Sequence, residues 1–176
     1  GMIYMRGQAA DYDGWRQAGL AGWGWEDVLP LFRKAEDHFA GESEFHGSGG
    51  EVRIERQRLR WQILDAFRDA ALEYGVPASD DFNTGDNEGV GYFQVTQRNG
   101  WRWSAADAFL KPVRSRANLK VVTGAMTDRL VLEQGRAVGV RYLLGNDERV
   151  AHARGEVLLA AGAIGSPAIL ERSGIG

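Results

Sequence analysis

The sequence predicts an α+β fold: separate helices, then an antiparallel β-meander, then a strand–turn–helix unit. Three observations predict it. Residues 26–39 and 62–74 repeat apolar side chains at helical spacing. Residues 128–133, 137–143 and 148–153 alternate as strands, joined by the turns Gln134-Gly135-Arg136 and Gly145-Asn146-Asp147. The last stretch runs from the continuous apolar segment 157–161 through Gly162 and Gly165 into a short helix.

The 176 residues suit one domain, or one and a fraction. The net charge of −3 is made of acids and bases mixed along the chain. That mixture leaves no electrostatic footprint for nucleic acid or for an anionic membrane. With no cysteine, disulfides and thiolate metal sites are excluded. No apolar run approaches the roughly 20 residues of a membrane span, and residues 1–7 lack the pattern of a signal peptide. The expected location is cytoplasmic.

Residues 1–24 are rich in glycine and tryptophan and read as a long ordered loop, with one short helix at 10–18. Such a loop serves as a cover for a ligand or as a linker packed on its own tryptophans. In the helix at 26–39, Val28, Leu29, Phe32, Ala35 and Phe39 share a face, and Pro30 is expected to kink or split it. Residues 41–50 read as a flexible surface segment carrying His46, with His38 just before it. Two histidines eight apart, with no third partner, make a poor metal site, so both are placed on the surface.

A short strand is expected at 51–55. The helix at 62–74 should bury Ile63, Phe67, Ala70 or Ala71, and Tyr74. Residues 79–89 form a polar turn region. Its acids Asp80, Asp81, Asp86 and Glu88 do not have the spacing of a calcium loop. A strand at 90–96, a turn at Asn99-Gly100 and a helix from Ser104 to about residue 110, closed by Pro112, follow. A further strand is expected at 119–123 before the meander. In the last unit, Ser166 suits an N-cap, Pro167 a first helical residue and Gly174 the C-cap. A strand, a glycine turn and a helix N-terminus together present amide N–H groups to an anionic ligand.

Three stretches together resemble the glucose–methanol–choline (GMC) oxidoreductases. The run Gly162-Ala-Ile-Gly-Ser-Pro-Ala-Ile-Leu-Glu-Arg-Ser-Gly-Ile-Gly176 is similar to the family's second signature. Gly1-Met-Ile-Tyr-Met-Arg-Gly7, with Asp13, is similar to the tail of the first. Between them, the run from Arg98 to Pro112, the turn Asp81-Phe-Asn83 and Glu88-Gly-Val-Gly91 also resemble the family, nearest its choline- and alcohol-dehydrogenase branch.

The resemblance implies a fragment of a GMC-type FAD-binding α/β domain plus part of its substrate cap. Residues 1–50 would be the flavin-covering loop and helix, 51–115 part of the cap, and 116–176 the meander and the return to the FAD-binding domain. The implied activity is oxidation of the CH–OH group of a small alcohol, with hydride passing to FAD. The implied cofactor contacts are Gly1, Met2, Ile3, Thr127, Ala161 and Gly162, though the same residues suit the packing of tight turns. Relatives usually carry valine where Thr127 stands.

Neither the family's GxGxxG unit nor its catalytic-histidine motif occurs in these residues, so none of His38, His46 and His152 is assigned to catalysis. The chain alone is expected to be inactive and to hold FAD weakly or not at all. The alternative is a non-catalytic binding module that self-associates through an orphaned strand at 157–161. A nicotinamide enzyme ranks last, for lack of a βαβ unit with a ribose-binding acid. Trp61, Tyr92, Phe93, Trp101 and Trp103 read as core in preference to cap lining.

Overall fold

Aspartates start the first two helices. The Asp11 carboxylate accepts the Gln8 N–H at 2.7 Å and opens α1 (Ala9–Gln17). Asp27 does the same for Gly24 at 3.0 Å and opens α2 (Trp25–Ala35). Each satisfies a backbone donor that has no partner within its helix. Asp13 joins the pair by accepting the Trp25 N–H at 3.1 Å. Tyr12 is buried where the two helices meet, with its ring against Trp15, Trp25 and Phe32 at 5.3–5.8 Å.

The computed structural model describes residues 1–176 apart from Asp86, which the calcium reading had included. The chain forms two units, residues 1–119 and 120–176.

In the first unit α2 is one element across Pro30 and ends four residues early. It gives way to β1 (Glu36–His38), which pairs in parallel with β2 (Val52–Arg56) in the register Glu36↔Val52 and His38↔Ile54. A parallel return needs a connection of a dozen or more residues, and residues 39–51 supply it. β3 (Gln94–Val95) pairs antiparallel with β2. The chain start lies alongside β3. Tyr4 N–H donates to Gln94 O at 2.8 Å, Thr96 N–H donates to Met2 O at 2.7 Å, and Ile3 bridges Val95. The core holds Val28, Ile54, Phe82, Val95 and Ala108.

α3 (Gln62–Glu73) forms where expected, but its apolar stripe is not buried. Ile63, Phe67 and Tyr74 are 70%, 69% and 89% exposed, because no other described element of the unit lies across that face. Asn99 and Gly100 take φ of 54° and 84°, the mirror-image turn that joins β4 (Gln97–Arg98) to β5 (Trp101–Arg102). The Asp107 carboxylate accepts the Ser104 N–H at 3.0 Å, and a π-helical turn (Ala106–Leu110) runs into a 3-10 turn (Lys111–Val113) that includes Pro112.

The second unit is the meander β6 (Ala125–Glu133), β7 (Arg136–Leu144) and β8 (Asp147–His152), with α4 (Gly162–Arg172) packed on β6. The Ser173 hydroxyl accepts the Leu130 N–H at 2.8 Å, and Ile169 is buried beneath. Two expected strands do not form here. Residues 119–123 and 157–161 join no ladder, since none of the three meander strands has an edge paired to them. α4 begins at Gly162, earlier than the Ser166 cap implied. Ser166 instead accepts the Ala161 N–H at 2.9 Å from inside the first turns, and Pro167 sits within the helix.

Candidate functional site

The segment expected to lie on a flavin is held from two sides. Its backbone follows β3, and behind it stands the turn Asp81-Phe-Asn83. Asn83 is buried; its Oδ1 accepts the Arg6 N–H at 2.8 Å and its Nδ2 donates to Tyr4 O at 3.2 Å. The buried Arg6 side chain donates to Phe45 O at 2.8 Å and to Asn83 O at 3.0 Å. Ile3 is left 61% exposed. Residues 1–3 therefore sit on an anchored edge with apolar side chains facing outward.

Beneath that edge lies a charged group the sequence reading missed. Glu36 is fully buried, and His38 and His46, expected on the surface, are buried as well. His46 Nδ1 faces Glu36 Oε1 at 2.9 Å and Nε2 faces Asp81 Oδ2 at 2.7 Å. Glu36 Oε2 accepts the Gly47 N–H at 3.1 Å, and Asp81 Oδ1 accepts the Asn83 N–H at 2.8 Å. His38 stacks on His46, with centroids 3.9 Å apart and planes 17° apart. Its Nδ1 accepts the Ala40 N–H at 3.3 Å, so Nε2 carries the proton and donates to Gln94 Oε1 at 3.2 Å.

The ionisation of the group follows from these contacts. Burial pushes the His46 pKa down, but the hydrogen bonds to Asp81 and Glu36 outweigh it and raise it to about 9. Burial pushes Asp81 up, while the His46 and Asn83 N–H groups bring it down to about 2. Burial, then the charge of His46, lowers His38 and keeps it neutral. Burial, then the charge of Glu36, raises Tyr4 to about 12.

Glu36, His38 and His46 offer possible ligand atoms within 4.8 Å of one another. Stacked rings nonetheless direct their in-plane lone pairs in parallel. They cannot converge on one ion at the ~2 Å that a metal–imidazole bond requires.

The remaining expected contacts lie in the second unit. Thr127 is on β6 beside a register shift, and its carbonyl accepts from Arg172 Nη2 at 3.4 Å. Ala161 precedes α4, and Gly162 opens it with φ of 85° and open space where a Cβ would stand. His152 is exposed on β8. The aromatic reading needs correction, since Trp61 and Trp101 are exposed (Trp101 at 80%) and Phe93 is partly exposed. Tyr92 and Phe93 line a cavity of about 420 Å³ together with Arg56, Gln57, Arg60 and Arg68. The Tyr92 hydroxyl there donates to Asp65 at 2.8 Å.

All of residues 1–176 match the GMC oxidoreductase family. The chain belongs to the GMC oxidoreductases. It is 41% identical over 175 residues to human mitochondrial choline dehydrogenase, a match covering 99% of this chain and 30% of that protein. An oxygen-dependent choline dehydrogenase of Paraburkholderia phymatum is 45% identical over 179 residues, covering 100% and 31%. Among solved structures, pyridoxine 4-oxidase from Mesorbium loti is similar with a TM-score of 0.88 at 38% identity, covering 99% of this chain and 35% of that one. An FAD-dependent oxidoreductase from Chaetomium thermophilum gives a TM-score of 0.88 at 29% identity, covering 99% and 33%. This GMC chain thus spans about a third of the length of these relatives. No helix among its described residues is long and apolar enough to cross a membrane.

Proposed function

We propose that this chain is the part of an FAD-dependent oxidoreductase that lies against the cofactor, in an enzyme oxidising the CH–OH group of a small alcohol. The observation that carries the reading is the family match over every residue, with choline dehydrogenases at 41% and 45% identity. Residues 1–50 cover the flavin, 51–115 contribute to the substrate side, and 116–176 return to the cofactor.

The residues present fit a flavin nucleotide. Ile3 offers exposed apolar surface on an anchored edge. The first turn of α4 is exposed and carries N–H groups with no carbonyl partner inside the helix, a suitable place for an anionic part of the cofactor. Gly162 leaves room for close approach. Gly1, Met2, Ile3, Thr127, Ala161 and Gly162 would hold the cofactor, largely through backbone atoms. Bound FAD would supply the hydride acceptor.

His38 and His46 do not supply a base. Both ring nitrogens of His38 and of His46 are engaged inside the first unit. A base needs a free nitrogen within reach of the substrate hydroxyl. On this reading the chain alone is inert and binds FAD weakly. Adding millimolar FAD to the ¹⁵N-labelled chain is expected to move the amides of residues 1–3, 127, 161 and 162. Gel filtration is expected to strip the flavin, and choline is expected to reduce no dye. Shifts clustered elsewhere, or none, would overturn the contact assignment; a retained yellow colour or turnover would overturn the inert chain. A second reading, a self-associating module, is favoured by the exposed apolar stripe of α3.

A further inference from the structure

His46 lies in no contact assigned to the cofactor, yet it occupies the centre of the polar core of the first unit. Both of its nitrogens face carboxylate oxygens, at 2.9 and 2.7 Å. A neutral ring has one N–H, and its bare nitrogen would then oppose an oxygen lone pair at that distance. Each carboxylate already accepts an amide N–H through its other oxygen, as ionised groups do. The geometry is that of a cation between two anions.

Three separate stretches meet at this cation. Glu36 comes from the junction of α2 and β1, His46 from the connection between β1 and β2, and Asp81 from the turn that ends in Asn83. Asn83 in turn holds Arg6 and Tyr4. We propose that His46, as an imidazolium between Glu36 and Asp81, is the positioning residue that locks the Asp81–Asn83 turn to the sheet and so fixes residues 2–6. Its meaning for cofactor binding rests on the flavoenzyme reading above; the tie itself does not.

Every group facing the ring is consistent with the role. Glu36 and Asp81 supply the negative charge. His38, from β1, stacks as a neutral ring and donates its Nε2–H to the Gln94 side-chain oxygen of β3. Gln94 in turn accepts the Tyr4 N–H through its carbonyl. Arg33 of α2 donates to the His46 carbonyl at 3.4 Å, and Arg6 reaches the neighbouring Phe45 carbonyl. The arginines therefore meet backbone carbonyls around the ring and leave its two carboxylates to His46.

The test uses this chain, without FAD. Long-range ¹H–¹⁵N spectra at pH 7.5 should show both His46 ring nitrogens protonated and one bare nitrogen on His38. In His46→Gln, amide exchange at Tyr4, Arg6 and Thr96 should rise at least tenfold, while Leu130 and Val140 of the second unit stay unchanged. His46→Arg should restore protection, and the unaltered chain should lose it as pH rises through about 9. Asp81→Asn keeps the turn acceptor for Asn83, removes one charge, and serves if His46→Gln does not fold; it should loosen Arg6 and lower the His46 pKa. A neutral His46 at pH 7.5, unchanged exchange at Arg6 in either folded variant, or no restoration by arginine would overturn the proposal. Failure of the flavin reading would appear as absent FAD shifts and leave these results standing.

Discussion

At the scale of the residue, His46 sets the pH range over which the first unit is stable. Its pKa rises from an ordinary 6.5 to about 9 on folding, so its contribution is complete below pH 6.5 and lost as pH climbs through 9. Asp81 works in the other direction: held at about 2 against an ordinary 3.8, it contributes fully above pH 4 and loses its contribution as pH falls toward 2. His38, kept neutral, costs stability as pH drops below 6.5. The expected profile is a maximum near pH 6.5, with a decline from there through pH 9 on the alkaline side and a decline on the acid side. All six tryptophans lie within residues 1–119, so urea unfolding followed by tryptophan fluorescence reports this unit alone. His46→Gln strands the buried Glu36 charge and is expected to cost on the order of 3 kcal/mol. The alkaline fall should be absent in His46→Arg. A flat profile from pH 7 to 10 would contradict the assignment. None of this was legible from spacing. His38 and His46 are eight positions apart, and the carboxylate partners of His46 lie on other stretches, so the group comes together only when β1 returns to β2 and the Asp81 turn packs against that connection.

At the scale of the element, the connection carrying His46 is shaped by glycine. A Cβ at Gly47 would overlap the Arg33 carbonyl, and one at Gly50 would overlap the backbone of Ala35. The connection thus presses on the end of α2, where a sequence reading saw only a glycine-rich surface stretch. Gly47→Ala must displace backbone and is expected to destabilise the first unit by about 3 kcal/mol. Gly14→Ala, in the exposed interior of α1 with open space around it, is expected to stabilise by about 0.5–1 kcal/mol. Thermal unfolding of the two variants side by side checks both signs. Periodicity and turn chemistry recovered the elements whose signals are local. These are α3, the three meander strands, and the hairpin turn at Asn99-Gly100. It failed at residues 119–123 and 157–161, because an apolar run becomes a strand only where a neighbour offers a paired edge, and that information is not local.

At the scale of the whole molecule, the same reasoning accounts for the apolar side chains left on the surface. A helical period fixes which face of α3 is apolar but not what covers it, and within the first unit nothing does. Ile63 and Phe67 stand four residues apart on that face, with Trp61 and Leu59 exposed just before the helix. Contiguous exposed apolar surface of this kind drives association. The chain at high concentration is therefore expected to self-associate through α3. Light scattering should show a mass that grows with concentration, and a double variant, Ile63→Ser with Phe67→Ser, should return it toward the monomer. Helix content should persist in that variant, because α3 has no buried residue whose packing the changes would remove. If the 157–161 segment drives association instead, the double variant would leave the mass unchanged, and Leu158→Lys, on a side chain that is 83% exposed, would lower it. A monomer at every concentration would show that neither surface is adhesive, and would remove the support for a self-associating module.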